Sequence, residues 1–117
     1  MAAIPTPDPA ALRTVPASAV VWINGREAIV VTMGSDGRTL TFEIKRGLEP
    51  ELSYLALVVR VIGDRQRVLI LGPNSVRLAL EREYVAVFRR RDRLVDVEPA
   101  GTIDAEELVV RLRALAA

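Results

Sequence analysis

Arg67-Val68-Leu69-Ile70-Leu71-Gly72-Pro73-Asn74-Ser75 is the stretch from which the fold can be read. Val68 to Leu71 are apolar without polar alternation, the signature of a strand buried on both faces, so a mid-sheet position with helix cover is expected. Gly72-Pro73 stops the strand, because proline has no amide to give the ladder and glycine lets the chain turn sharply. Asn74 or Ser75 can then cap the first free amides of a following helix. A buried strand that feeds a helix calls for a covering helix before it and a parallel strand after it.

Working outward, both are present. Towards the N-terminus, Pro50 suits a first helical turn, and Glu49 and Glu51 suit its positive end. Leu52, Leu55, Val58, Val59 and Ile62 follow at helical spacing, and Gly63 closes the segment. Towards the C-terminus, a helix of roughly Ser75 to Arg89 carries Val76, Leu80, Tyr84, Val87 and Phe88 as its apolar stripe. Arg77 and Glu81, four residues apart, can pair on its outer side. Leu94 to Val97 reads as a short strand closed by Pro99. Thr102 or Asp104 caps a last helix that buries Ala105, Leu108, Val109, Leu112 and Leu115, and Asp104 with Glu107 has capping-box spacing.

The first third of the domain reads as a meander. Ala19 to Ile23 is a β-branched run, Asn24-Gly25 is a hairpin turn signal, and Ala28 to Met33 is the return strand. After the Ser35-Asp36-Gly37 turn, Leu40, Phe42 and Ile44 alternate with Thr39, Thr41, Glu43 and Lys45, as in a strand with one wet face. Residues 1–17 hold Pro5, Pro7, Pro9 and Pro16 and read as an extended or disordered, flexible tail, with a single domain over 18–117. The order β-β-β-α-β-α-β-α, with right-handed crossovers to the parallel strands, predicts an α/β fold of ribonuclease H-like layout with a mixed five-stranded sheet.

Composition narrows the chemistry. The 117 residues contain no cysteine and no histidine. This removes disulfides, thiolate chemistry and the commonest general base and transition-metal ligand. A ribonuclease H-like nuclease needs several carboxylates to hold divalent ions. Asn24 occupies the position after the first strand, and Asp96 alone does not make a two-metal site. Ser18, Ser35, Ser53 and Ser75 have simpler roles in turns and caps than as nucleophiles. The expectation is a protein that is not an enzyme, with no cofactor, no metal and no small-molecule substrate. Net charge is +1, so nothing global draws the chain to nucleic acid. With no secretory signal pattern and no apolar run of the length that spans a bilayer, a cytoplasmic location away from membranes is expected.

Two local features compete for a binding role. Arg89, Arg90, Arg91 and Arg93 form the densest charge run; they can grip RNA phosphates, or they can be a solvated helix end whose cations favour the negative pole. Gly72, Asn74 and Ser75 open a helix whose amides can cradle an anion, or they are an ordinary strand-to-helix turn. Trp22, the lone tryptophan, reads as core.

The motifs Ala19-Val20-Val21-Trp22-Ile23-Asn24, Arg26-Glu27-Ala28 and Val68-Leu69-Ile70-Leu71-Gly72-Pro73 carry a further signal. The pattern resembles the middle domain of archaeal and eukaryotic class-1 peptide-chain release factors and of the ribosome-rescue factor Pelota. It is similar above all to small bacterial members of that superfamily, the translational machinery proteins. The resemblance spans about residues 19–116. It implies a module that works on the ribosome. It also implies what is missing: Arg46-Gly47-Leu48 stands where release factors carry a Gly-Gly-Gln loop, no Gly-Gly-Gln occurs anywhere in the sequence, and Asn24 replaces the family's aspartate. Release of a peptide by that route is therefore not expected. Two functional expectations follow, a non-catalytic translation-associated module contacting ribosomal RNA or a translation partner, and a self-associating or protein-interaction module with no nucleic-acid role. The third strand is expected at a sheet edge, which with the 50% apolar content predicts a homodimer.

Overall fold

The computed structural model describes residues 16–117. Its elements are β1 (Ser18–Ile23), β2 (Glu27–Met33), β3 (Thr39–Lys45), α1 (Glu51–Ile62), β4 (Arg67–Gly72), α2 (Val76–Phe88), β5 (Leu94–Pro99) and α3 (Ala105–Ala116), with a 3₁₀ turn over Arg91–Arg93. The sheet order is β3-β2-β1-β4-β5. β1 pairs antiparallel with β2 and parallel with β4, β2 pairs antiparallel with β3, and β4 pairs parallel with β5. This is the α/β, ribonuclease H-like arrangement read from the element order. β4 is flanked on both sides as expected, although the central place belongs to β1. The extended-tail expectation for residues 1–17 falls mostly outside the described residues. Ala17 is already held at the sheet, since its N–H donates to Gln66 Oε1 at 2.9 Å and its carbonyl accepts from Gln66 N at 2.7 Å.

Two cores sandwich the sheet, because β1 and β4 present apolar side chains to both faces. On one face Ala19, Val21, Ile23, Val30, Val68 and Ile70 meet Tyr54, Leu55, Val58, Val59 and Ile62 of α1 and Leu80 and Tyr84 of α2. On the other, Val20, Trp22, Val31, Met33, Leu69 and Leu71 meet Leu108, Leu112 and Ala116 of α3. Trp22 is core as expected, and its indole Nε1 donates to Gly101 O at 2.8 Å.

Three expectations about helix faces change. Leu52 is 73% exposed and Val87 is 52% exposed. In α1 the buried place goes to Tyr54, whose hydroxyl donates to Asn24 O at 3.1 Å. Spacing alone does not fix which members of a stripe are covered, since Phe88 packs on the core while its neighbour Val87 does not. The Arg77–Glu81 pair does not form; Arg77 Nη1 turns back to donate to Asn74 O at 2.7 Å. The last helix is capped as its spacing predicts, with Asp104 Oδ1 accepting from Glu107 N at 2.8 Å.

Candidate nucleic-acid interface

The arginine run begins where α2 ends. Tyr84 is fully buried against the sheet and Phe88 packs on it, ring centroids 4.9 Å apart. The chain must then leave the helix to reach β5. It does so through Arg89, which adopts φ 55 and ψ 34 and donates its N–H to Val85 O at 2.7 Å. This left-handed cap is usually glycine's position. Arg90 then leads into the 3₁₀ turn, and Arg93 N donates to Arg90 O at 3.2 Å. The tight sequence of cap and turn fans Arg89, Arg90 and Arg91 outward, and all three are exposed. Among the described residues none of the three has a carboxylate oxygen within 4 Å.

Arg93 has a different place. Its side chain is only 21% exposed, its Nη1 donates to Arg65 O at 3.1 Å and stands 3.9 Å from Asp64. It pins the start of β5 to the loop between α1 and β4. Tyr84 closes the same junction, donating its hydroxyl to Gly63 O at 3.0 Å and accepting from Arg65 N at 3.3 Å. Burial pushes the Tyr84 hydroxyl above its ordinary pKa. Of the four arginines in the run, three are available as surface cations and one is a brace. Arg91 also borders a cleft of about 340 Å³ with Glu81 and Asp96. Asp96 there accepts from Val97 N at 2.8 Å.

The Gly72-Asn74-Ser75 turn is organised for its own chain. A Cβ on Gly72 would stand 2.3 Å from Ile23 O, so only glycine allows β4 and β1 to close here. Asn74 Oδ1 accepts from Val76 N at 3.1 Å, and Ser75 makes no side-chain cap. Asn24 likewise serves the β1–β2 turn, its Oδ1 accepting from Arg26 N and Glu27 N, both at 2.8 Å. Among the described residues no three acidic side chains converge as a metal site would need.

A second cationic surface is spread too widely in sequence to see as a motif. Arg26, Lys45 and Arg46 line an open cleft of about 660 Å³ with Gly25, Gly47, Leu48 and Glu49. They meet because β2 and β3 pair Glu27 with Lys45, and Arg46 N donates to Arg26 O at 2.8 Å. Lys45 is paired with Glu27, whose carboxylate holds the ammonium above its ordinary pKa. Arg46 braces the loop, donating from Nε to Glu49 O at 2.8 Å and from Nη1 to Gly25 O at 3.2 Å. Arg26 is exposed and, among the described residues, has no acidic partner within 4 Å. This cleft lies at the C-terminal end of β1, whereas Arg89, Arg90 and Arg91 lie at the opposite end of the sheet, before β5 begins.

With this geometry in place, comparison with solved structures shows a likeness of fold. The chain superimposes on Pelota from Archaeoglobus fulgidus with a TM-score of 0.62 and 11% identity over 87% of its own length. It superimposes on Pelota from Thermoplasma acidophilum with a TM-score of 0.61 and 20% identity over 86% of its length. In each case it spans 32% of the Pelota chain, so the likeness is to one domain's fold. No protein-family model and no curated protein matches the sequence.

Proposed function

We propose that this chain is a non-catalytic, translation-associated module that holds RNA through phosphate contacts. The observation that carries the reading is the fan of Arg89, Arg90 and Arg91 on the surface of a Pelota-like fold, with no carboxylate within 4 Å among the described residues. The sequence resemblance to release factors and Pelota favours ribosomal RNA as the partner. Arginines on a turn have no geometry for reading base edges, so the contact is sequence-tolerant and salt-sensitive. Arg93 takes no part, because its guanidinium is spent on Arg65 O.

Cosedimentation with ribosomes, together with filter binding to ribosomal RNA fragments, tests this. Replacing Arg89, Arg90 and Arg91 with glutamine should weaken binding at least about tenfold, which corresponds to about 1.4 kcal/mol. Affinity of the unaltered protein should fall steeply between low and physiological salt. A folded triple variant with full affinity would remove the phosphate-grip reading. The exposed apolar edge of β3 favours the alternative, a self-associating module with no nucleic-acid role. A protein that stays off ribosomes in low-salt gradients would select it.

A further inference from the structure

The two edges of the sheet are unlike. β5 is a defended edge: its register with β4 shifts between Val68 and Leu69, it carries exposed Asp96, and it ends on Pro99. β3 has exposed Glu43 and Lys45 but neither a register shift nor a proline. Its seven residues pair with β2 in unbroken register from Thr39↔Met33 to Lys45↔Glu27, with no proline. Leu40 is 60% exposed and Phe42 is 38% exposed, while Ile44 on the same side is buried.

The ladder also fixes which main-chain groups are free. Gly34 N donates to Arg38 O at 3.0 Å at one end, and Arg46 N donates to Arg26 O at 2.8 Å at the other. In an antiparallel ladder the bonded pairs alternate. Leu40, Phe42 and Ile44 therefore bond to β2, and Thr39, Thr41, Glu43 and Lys45 point their amides and carbonyls away from the sheet.

From this we infer that β3 is a self-complementary dimerisation edge whose occupant is β3 of a second copy, related by a two-fold axis through Phe42. Full antiparallel register places Thr39 opposite Lys45 of the second copy and Thr41 opposite its Glu43. About eight main-chain hydrogen bonds then close between the strands. On the apolar side Phe42 stacks on its own counterpart, and each Leu40 meets Ile44 of the other copy, so the exposed Leu40 and Phe42 are covered at the seam. On the polar side no like charges stand directly opposite. Sliding two residues one way would set Glu43 against Glu43, and sliding the other way would leave Lys45 opposite the Gly37 turn. Charge and apolar pattern therefore select one register, and two five-stranded sheets become one continuous sheet.

Sedimentation equilibrium of the full chain at several hundred micromolar should give twice the 12.8 kDa chain mass. Phe42→Lys sets two ammonium groups on the axis, and Thr41→Pro removes an outward amide that β2 does not use. Both should return the mass to a single chain with the far-UV circular dichroism unchanged. Because the chain has no cysteine, single Phe42→Cys and Leu40→Cys variants report the register. Oxidation should link the former at least tenfold faster, as the residue on the axis faces itself. A wild-type chain that is monomeric at that concentration, or a folded Phe42→Lys variant that stays dimeric, would overturn the inference. Faster linkage at position 40 would overturn the register.

Discussion

Gly72 shows how much one residue can decide. Its Cα faces Ile23 O so closely that any side chain must push β4 from β1. Gly72→Ala should cost about 2 kcal/mol or more, read as a lower urea midpoint with unchanged slope. Tyr54 is the second such position. Burial is the main reason its hydroxyl sits well above the usual tyrosine pKa of 10.0, with the Glu27 charge adding to it. Tyr84 and Lys45 are shifted in the same direction. A group whose folded pKa is raised gives stability that is fully present below its unfolded value and is lost as pH rises past it. Melting temperature should therefore hold up to about pH 10 and fall beyond it. Tyr54→Phe should flatten part of that fall, and a wild-type curve that is level to pH 11 would refute the assignment.

At the scale of elements, the arginine run divides into function and structure. Arg93→Gln removes a charged donor from Arg65 O at a nearly closed junction and should cost about 1 to 2 kcal/mol. The exposed Arg90→Gln should cost under about 0.5 kcal/mol. Denaturant unfolding of the two variants makes the comparison, and equal losses would mean Arg93 is no brace. The sequence carried this run but not its division, because inward and outward arginines look alike until the turn after α2 is drawn. The strands were legible for a simpler reason. β-branched runs and turn residues act locally, so β3 has the bounds its alternation predicts. The helical stripes were legible only in part, because spacing does not fix how far a buried face extends, and so Tyr54 is buried where Leu52 is exposed. The Arg26, Lys45 and Arg46 cleft was hidden, since its members meet only through strand pairing.

The whole molecule is two halves that share β1. The meander of β1, β2 and β3 closes through short turns, while the parallel half closes across a separation of 49 residues between Ala17 and Gln66. Loop-closure entropy opposes the second more than the first. Val30→Ala, in the meander, should slow refolding, whereas Ile70→Val, in β4, should mainly speed unfolding. Stopped-flow chevrons would show it, and the reverse pattern would put the nucleus in the parallel half. The central position of β1 has a consequence for biosynthesis. While the chain grows, the β1 edge that β4 will occupy stays bare until residue 72 has left the ribosomal tunnel. During that interval the nascent meander presents open edges on both sides, and its protection then depends on the speed of elongation or on a chaperone.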